Sequence, residues 1–159
     1  MKYTRFEELP VWNGAIELAA RACALTGKPN FSGQASLRDQ LVRAAVSVSN
    51  NIAEGFERGT TQELLTFLYI ARGSAGEVRS MLCLLERLPG FANVKSEISD
   101  LKSLSEGVSR QLRGWAGSLQ NTKIKGQRYL TEKSRRAAAA ARSRTEFLQE
   151  LRRTREEAV

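Results

Sequence analysis

Two stretches of the chain carry apolar residues at alternating steps of four and three, and this spacing constrains the fold more than any other feature. It keeps one apolar line turned toward a neighbouring helix along the whole length of each stretch. We therefore expect two long packed helices, helix three and helix four. The apolar line of helix three is Leu64, Leu68, Ala71, Ala75, Val78, Leu82 and Leu85, and that of helix four is Ile98, Leu101, Ser105, Val108, Leu112, Trp115 and Leu119.

A first helix is expected from about Pro10 to Leu25, with proline in its first turn and Gly27 as its stop. Cys23 and Cys83 sit within apolar patterns and resemble no metal-binding spacing, so the sequence predicts two buried free thiols. The apolar stripe of helix one is expected at Leu9, Trp12, Ile16, Ala19 and Cys23.

Helix two is expected to open on a capping box at residues 36–39 and to continue to about Arg58, before Gly59. A second capping box at residues 60–63 opens helix three almost at once, which forces the two helices to run antiparallel. Helix three is expected to end at residues 88–90, and helix four to run from about Val94 to Leu119. The prediction is an all-α, up-down-up-down antiparallel four-helix bundle over residues 1–120.

The basic character of the chain is concentrated after the bundle. Residues 1–120 carry 14 basic and 12 acidic residues, whereas residues 121–159 carry 11 and 5. We expect residues 121–159 to form a basic, helix-prone C-terminal extension whose only sizeable apolar cluster is Phe147, Leu148 and Leu151. Such a tail fits a polyanion such as RNA or DNA, although basic tails are often only solvated extensions.

A polar line runs along the otherwise apolar helix two. The Glu54–Arg58 spacing favours an ion pair within the helix, while Arg43 would need another acid such as Glu77. We favour a hydrogen-bonded seam that fixes how helices pack, over a surface that touches a ligand. The line comprises Arg43, Ser47, Asn50, Glu54 and Arg58, with Asn51 beside it.

A second flank of helix two, with Val42, Val46 and Ser49, widens its apolar arc beyond the core stripe of Leu37, Leu41, Ala44, Val48 and Ile52. A wide apolar arc is usually buried by something else. The sequence therefore predicts contact with another subunit through Val42 and Val46, and the alternative is burial among three helices of one bundle.

The exposed side of helix three gathers arginines and an aromatic ring around glycines and a serine. Arginine fits phosphate geometry and tyrosine can stack on a base, so we expect nucleic acid to bind here. The alternative is an ordinary solvated helix face. The candidate binding residues are Tyr69, Arg72, Arg79 and Arg87, with the tail residues Lys123, Lys125, Arg128, Lys133, Arg135 and Arg136; Lys95, Lys102, Arg110 and Arg113 of helix four extend the basic surface.

Catalytic patterns are missing from the sequence. It holds no histidine, no phosphate-cradling glycine loop, no acidic cluster at metal-binding spacing and no nucleophile with a plausible base. We expect no enzyme activity, no metal and no cofactor. The sequence shows neither an apolar signal core in its first residues nor a membrane span, which favours a cytoplasmic protein.

With these residues the chain resembles a bacterial four-helix bundle family. The family includes proteins encoded in intervening sequences of large-subunit ribosomal RNA genes, and Avd, the accessory variability determinant of diversity-generating retroelements. The resemblance covers about residues 3–120, and its most specific part is the NIAEG run with its upstream arginine. The matching positions are Phe6, Leu9, Val11, Trp12, Ala15, Leu37–Gln40, Arg43–Ala45, Ser47, Ser49, Asn50, Asn51–Gly55, Phe67, Ile70, Ala71, Gly73, Ser74 and Glu77.

The resemblance implies a homopentamer, a barrel of five bundles without catalytic activity. In the retroelement branch it also implies binding of nucleic acid and association with a reverse transcriptase. Our leading interpretation is an RNA-binding oligomer, an accessory to a reverse transcriptase that supports template-RNA-primed cDNA synthesis in a diversity-generating retroelement. The alternative is a structural, protein-binding oligomer of the ribosomal intervening-sequence type, with no direct role at nucleic acid.

Overall fold

The computed structural model of the protein describes residues 3–121, and this part of the chain contains four α-helices and no strand. Three short 3₁₀ turns join the helices or precede them, at Phe6–Glu8, Pro29–Phe31 and Pro89–Val94. The helices are α1 (Pro10–Thr26), α2 (Ala35–Glu57), α3 (Thr61–Leu85) and α4 (Lys95–Gln120).

The four helices form a closed bundle in which α1 packs on α2 and α4, and α3 packs on α2 and α4. Contacts across the α2–α3 and α3–α4 interfaces join the end of one helix to the start of the other, or middle to middle, so these neighbours run antiparallel. These contacts are Ser47 with Ser74 and Arg58 with Phe67 between α2 and α3, and Tyr69 with Gln120 and Glu86 with Lys102 along the α3–α4 side. Lys28, just after α1, pairs with Glu97 at the start of α4, so these two helices are antiparallel as well. The up-down-up-down four-helix bundle expected from the sequence is confirmed.

The seam of α3 lies at the centre of the bundle as predicted. All seven of its residues are at most 1% exposed, and the α4 line is buried from Ile98 to Leu112. Trp115 and Leu119 at the end of α4 are half-buried and pack against the core. The alternating spacing therefore identified the inward faces of both helices.

The apolar stripe expected for helix one is correct at Leu9 and Ala19, which are buried, and wrong at Trp12, Ile16 and Cys23. Ile16 is 41% exposed and Trp12 is half-buried, with its ring edge against Phe6. The buried face is instead a line rich in alanine, and a Cβ added at Gly14 would stand 3.3 Å from Val108 of α4. Small side chains let α1 lie close to its neighbours, so the larger residues turn outward. The buried line is Val11, Ala15, Leu18, Ala22 and Leu25.

The burial expected for the thiols is also wrong. Cys23 is exposed, because the true inward face of α1 is rotated away from it, and Cys83 is half-buried. Both cysteines are free, as the sequence predicted.

Of the two predicted capping boxes, only the second forms. Thr60 Oγ1 accepts a hydrogen bond from the backbone N–H of Glu63 at 3.2 Å and also lies 2.7 Å from its carboxylate. The box at residues 36–39 is wrong, because α2 already begins at Ala35. Its Ser36 lies inside the first turn and accepts a hydrogen bond from Gln40. Just before α2, Gly33 has a φ of +76°, a backbone conformation that glycine adopts readily.

Candidate nucleic-acid interface

Helix α3 presents two exposed flanks of different chemistry. The flank toward α4 carries Tyr69, Arg72, Gly76 and Arg79, because these positions recur within a narrow angle at 100° per residue, and Arg87 lies in the turn just after the helix. The flank toward α2 carries Ile70, Glu77, Met81 and Leu84. The structure thus places three of the residues that the sequence proposed for nucleic-acid binding, Tyr69, Arg72 and Arg79, on one flank of α3, and the fourth, Arg87, in the turn after it.

Helix α4 adds cations to the same surface. Arg113 lies seven residues before Gln120, and Lys95 lies seven residues before Lys102. Since seven residues are nearly two whole turns, each cation shares the flank of a residue that contacts α3 or the turn just after it. We call the surface formed by Tyr69, Arg72, Arg79, Arg87, Lys95 and Arg113 the basic face.

The arginines of the basic face are available to an anion. Arg72 and Arg79 are exposed, and within residues 3–121 neither forms an ion pair or a side-chain hydrogen bond. Arg87 donates to the backbone carbonyl of Cys83 at 2.7 Å, which leaves its positive charge uncompensated. A guanidinium without a carboxylate partner can bind phosphate without first breaking an ion pair.

Two other cations of α4 are already neutralised. Lys102 Nζ lies 2.6 Å from a Glu86 carboxylate oxygen, and Arg110 pairs with Glu106 at 3.0 Å. The hydrogen bond to Glu86 raises the pKa of Lys102 above its ordinary value, with a smaller contribution from the Cys83 thiol. Lys102 and Arg110 were proposed as part of the basic surface, but each is paired with a carboxylate and so adds no net positive charge to it.

Tyr69 is held at one end of the basic face by a contact with the last turn of α4. Its hydroxyl accepts a hydrogen bond from Gln120 Nε2 at 2.6 Å, and the residue remains 44% exposed. The ring is therefore fixed by its oxygen while much of its surface faces solvent. Sequence reasoning missed Gln120, since no local pattern links positions 51 residues apart.

The polar line of α2 divides into an inner and an outer part. In the inner part, Ser47 Oγ lies 2.9 Å from Ser74 Oγ of α3, and Asn51 Nδ2 donates to the Ser47 carbonyl at 2.7 Å. Ser74 in turn donates to the Ile70 carbonyl at 3.1 Å. This network satisfies half-buried polar groups between two helices, which is the behaviour of a packing seam.

The outer part of the line is exposed. Glu54 accepts a hydrogen bond from Arg58 at 2.5 Å, and the Arg58 guanidinium lies 5.1 Å from the centre of the Phe67 ring. Asn50 is exposed and has no side-chain hydrogen bond within the described part of the chain. These residues stabilise the end of α2 locally and do not converge on a single point.

Arg43 and Glu77 line one groove of about 450 Å³ between α2 and α3, together with Gln40, Ala44, Ser47, Ser80 and Met81. Glu77, named as one acidic residue that Arg43 could pair with, does not form an ion pair with it, and among residues 3–121 neither has another ionic partner. The groove therefore contains one positive and one negative side chain, and neither is in an ion pair within this part of the chain.

The second apolar flank of α2 is partly covered within one chain. Val42 and Val46 are half-buried, and Val46 packs against the core. Ser49 is buried and donates to the Val46 carbonyl at 3.0 Å. The residues left open lie instead on α3, where Ile70 is 46% and Leu84 is 47% exposed. Ile70, Glu77 and Leu84 are each seven residues apart, so they lie on one face of α3. The sequence analysis considered only the apolar residues of the buried seam and did not identify this exposed face.

The predicted tail contacts fall outside the described residues. They are Lys123, Lys125, Arg128, Lys133, Arg135 and Arg136, together with the apolar cluster of Phe147, Leu148 and Leu151. Over residues 3–121, no group of three or more acidic or cysteine side chains could hold a metal ion. No described helix is long and apolar enough to cross a membrane.

Comparison with known proteins identifies a matching family and a solved structure with a similar fold. A family model described as 23S rRNA-intervening sequence protein matches residues 7–114. A crystal structure of a protein of unknown function from the S23 ribosomal protein family of Bacteroides thetaiotaomicron, at 1.70 Å resolution, is similar with a TM-score of 0.60 and 20% identity. The match covers 67% of this chain and 97% of that one, so it supports the four-helix architecture. A search of curated proteins gave no match.

Proposed function

The chain belongs to the 23S rRNA-intervening sequence protein family, and from that premise we propose that it is a non-enzymatic oligomer that binds RNA through the basic face. The observation that carries the proposal is the set of exposed arginines Arg72, Arg79 and Arg87, none of which is paired with a carboxylate among the described residues. Unpaired surface arginines along a helix and in the turn that follows it supply the electrostatic attraction on which nucleic-acid binding depends.

The finer proposal is an accessory role beside a reverse transcriptase in a diversity-generating retroelement. Its support is the resemblance to a family that includes Avd, carried by Arg43 and residues 51–55, which both branches of the family share, together with the separation of a basic face from a mixed apolar face on α3. The first face would hold template RNA, or DNA, and the second would contact protein. The assembly we propose is a homopentamer in the cytoplasm.

A second candidate function is a structural oligomer that binds protein and never touches nucleic acid. It is favoured by the exposed Ile70 and Leu84 and by the uncompensated charges of Arg43 and Glu77. Purification from the native host with and without nuclease separates the two functions. Protein partners lost on nuclease treatment support RNA binding, and partners retained support the structural role.

The direct test of RNA binding compares two triple variants of equal charge. Arg72→Ala, Arg79→Ala and Arg87→Ala together remove the arginines of the basic face. The matched control removes three exposed arginines that are each paired with a carboxylate: Arg5 with Glu7, Arg21 with Glu17, and Arg110 with Glu106.

Fluorescence anisotropy with a labelled RNA oligonucleotide gives the result. We expect the first triple variant to lose most of the affinity and the control to lose little, because only the first removes unpaired phosphate-binding groups. Equal losses would mean that net charge alone attracts RNA. That outcome, or no binding by the unaltered protein, would overturn the proposal.

A further inference from the structure

One end of the basic face combines cations with an exposed aromatic ring. Arg72 follows Tyr69 by three residues and Arg79 follows Arg72 by seven, so ring and guanidinium groups lie along one side of α3. Arg87 lies in the turn that follows α3. From Tyr69 to the end of α3 at Leu85 this side of the helix extends about 24 Å at the rise of an α-helix. This is long enough to follow a nucleic-acid backbone over several nucleotides.

The surface between these side chains is open. Gly76 lies between Arg72 and Arg79 on the same flank, and a Cβ built on it would meet no atom within 4 Å. The missing side chain leaves bare helix backbone beside the row, where a sugar or a base can approach closely. A bulky residue at this position would separate Tyr69 and Arg72 from Arg79.

The Tyr69 ring has the properties of a stacking platform. Its hydroxyl is fixed by Gln120 at 2.6 Å, while the residue stays 44% exposed. A tyrosine that served only to fill the bundle would turn its ring inward, as the residues of the α3 seam do. An exposed ring held beside unpaired cations is the combination typical of single-strand binding sites, where bases stack on aromatic side chains.

We propose that the basic face binds single-stranded nucleic acid, with phosphates along Arg72, Arg79 and Arg87 and one base stacked on Tyr69. The inference rests on the proposed RNA-binding function and narrows its ligand to strands with unpaired bases. The bases of a duplex are stacked on one another, so the Tyr69 ring would gain nothing from a duplex. The arginines would contact the phosphates of either form.

Three labelled probes test the inference by fluorescence anisotropy with the full chain. They are a 20-nucleotide uridine strand, a strand of the same length without bases, and a blunt 20-base-pair RNA duplex. We expect Tyr69→Leu to weaken binding of the uridine strand at least about five-fold, from the usual energy of one base stacked on an aromatic ring. Binding of the baseless strand and of the duplex should not change.

Tyr69→Phe is the matched control. It also loses the hydrogen bond from Gln120 but keeps the ring, so it should bind the uridine strand nearly as well as the unaltered protein. The inference is overturned if Tyr69→Leu binds the uridine strand normally, or if it weakens binding of all three probes equally. Loss of the three arginines should weaken binding of every probe, and no effect on any probe would overturn the RNA-binding function itself.

Discussion

Gly55 and Phe67 are packed so closely that a Cβ built on the glycine would stand 2.7 Å from the Cβ of the phenylalanine. The same atom would lie 3.2 Å from a methyl carbon of Leu64. Helices α2 and α3 therefore touch through backbone near the short connection that joins them. The glycine that ends the NIAEG run is required by this approach, not by an unusual backbone angle, since it lies inside α2.

Gly55→Ala is expected to destabilise the protein by about 1–3 kcal/mol, the usual cost of inserting a methyl group into a packed contact. The Cβ of Phe67 is close to the α3 backbone and cannot move aside cheaply. Gly114→Ala is the matched control, because Gly114 also lies inside a helix but has nothing within 4 Å of an added Cβ. That change should stabilise by roughly 0.5–1 kcal/mol through helix propensity. Urea unfolding measures both, and a stabilised Gly55→Ala would contradict the packing argument.

Thr60→Ala is expected to cost about 1 kcal/mol of stability, because Thr60 is the N-cap of α3 and accepts the Glu63 backbone N–H at 3.2 Å. Thr60→Ser keeps the capping oxygen and should remain close to the unaltered protein. Thermal unfolding followed by circular dichroism provides the comparison. If the two variants lost equal stability, the methyl group rather than the cap would be responsible.

The parts of the fold predicted from sequence are those with a local signal. The seam of α3 repeats over six turns and its capping box is contiguous, so both were identified correctly. Helix one was placed correctly along the chain but its inward face was not, because the buried residues at Ala15 and Ala22 are less hydrophobic than the exposed Ile16. The inward face of α1 is determined by how closely the helix approaches its neighbours. That distance cannot be predicted from the periodicity of apolar residues within one helix.

For the candidate site, sequence placed Arg72 and Arg79 on one flank but could not say which cations remain free. Lys102 and Arg110 were weaker candidates on sequence, and in the folded bundle each is paired with a carboxylate. Arg110 pairs with Glu106 one turn away on the same helix, whereas the Lys102 partner is Glu86 in the turn that follows α3. The Lys102 pairing depends on the register between α3 and α4, which is set by packing in three dimensions.

Ser105→Ala is expected to cost about 0.5–1.5 kcal/mol, the net value of one hydrogen bond. Ser105 is fully buried in the α4 seam and donates to the Ala75 carbonyl of α3 at 2.9 Å. Ser103→Ala, two residues away on the exposed side of α4, serves as the control and should change little. Denaturant midpoints compared at equal slopes measure both. A neutral Ser105→Ala would mean that this bond does not stabilise the bundle.

The salt dependence of RNA binding should become shallower when the three arginines of the basic face are removed. For single strands, the slope of log affinity against log salt falls by about 0.7 for each phosphate that the protein no longer neutralises. Replacement of Arg72, Arg79 and Arg87 by alanine should therefore reduce the slope by about 2. Titrations at several salt concentrations measure it. An unchanged slope with lower affinity would show that these arginines do not bind phosphates.

Assembly is expected to depend on the α3 flank that faces α2. Ile70 and Leu84 are exposed there beside the groove of Arg43 and Glu77, and a charged side chain would prevent burial of this surface in an interface. Ile70→Glu and Leu84→Glu should each lower the mass measured by light scattering from that of an oligomer, near five times 17.7 kDa for a pentamer, toward that of a single chain. Ile16→Glu is the matched control, since Ile16 is 41% exposed on α1.

The Ile16→Glu control distinguishes loss of a subunit interface from a general loss of folding stability. All three substitutions add the same charge at an exposed aliphatic residue, so each should leave the helical content of the bundle intact. If Ile16→Glu alone dissociated the assembly, α1 would hold the interface and the α3 flank would be free for another protein. A single-chain mass for the unaltered protein would exclude the oligomer.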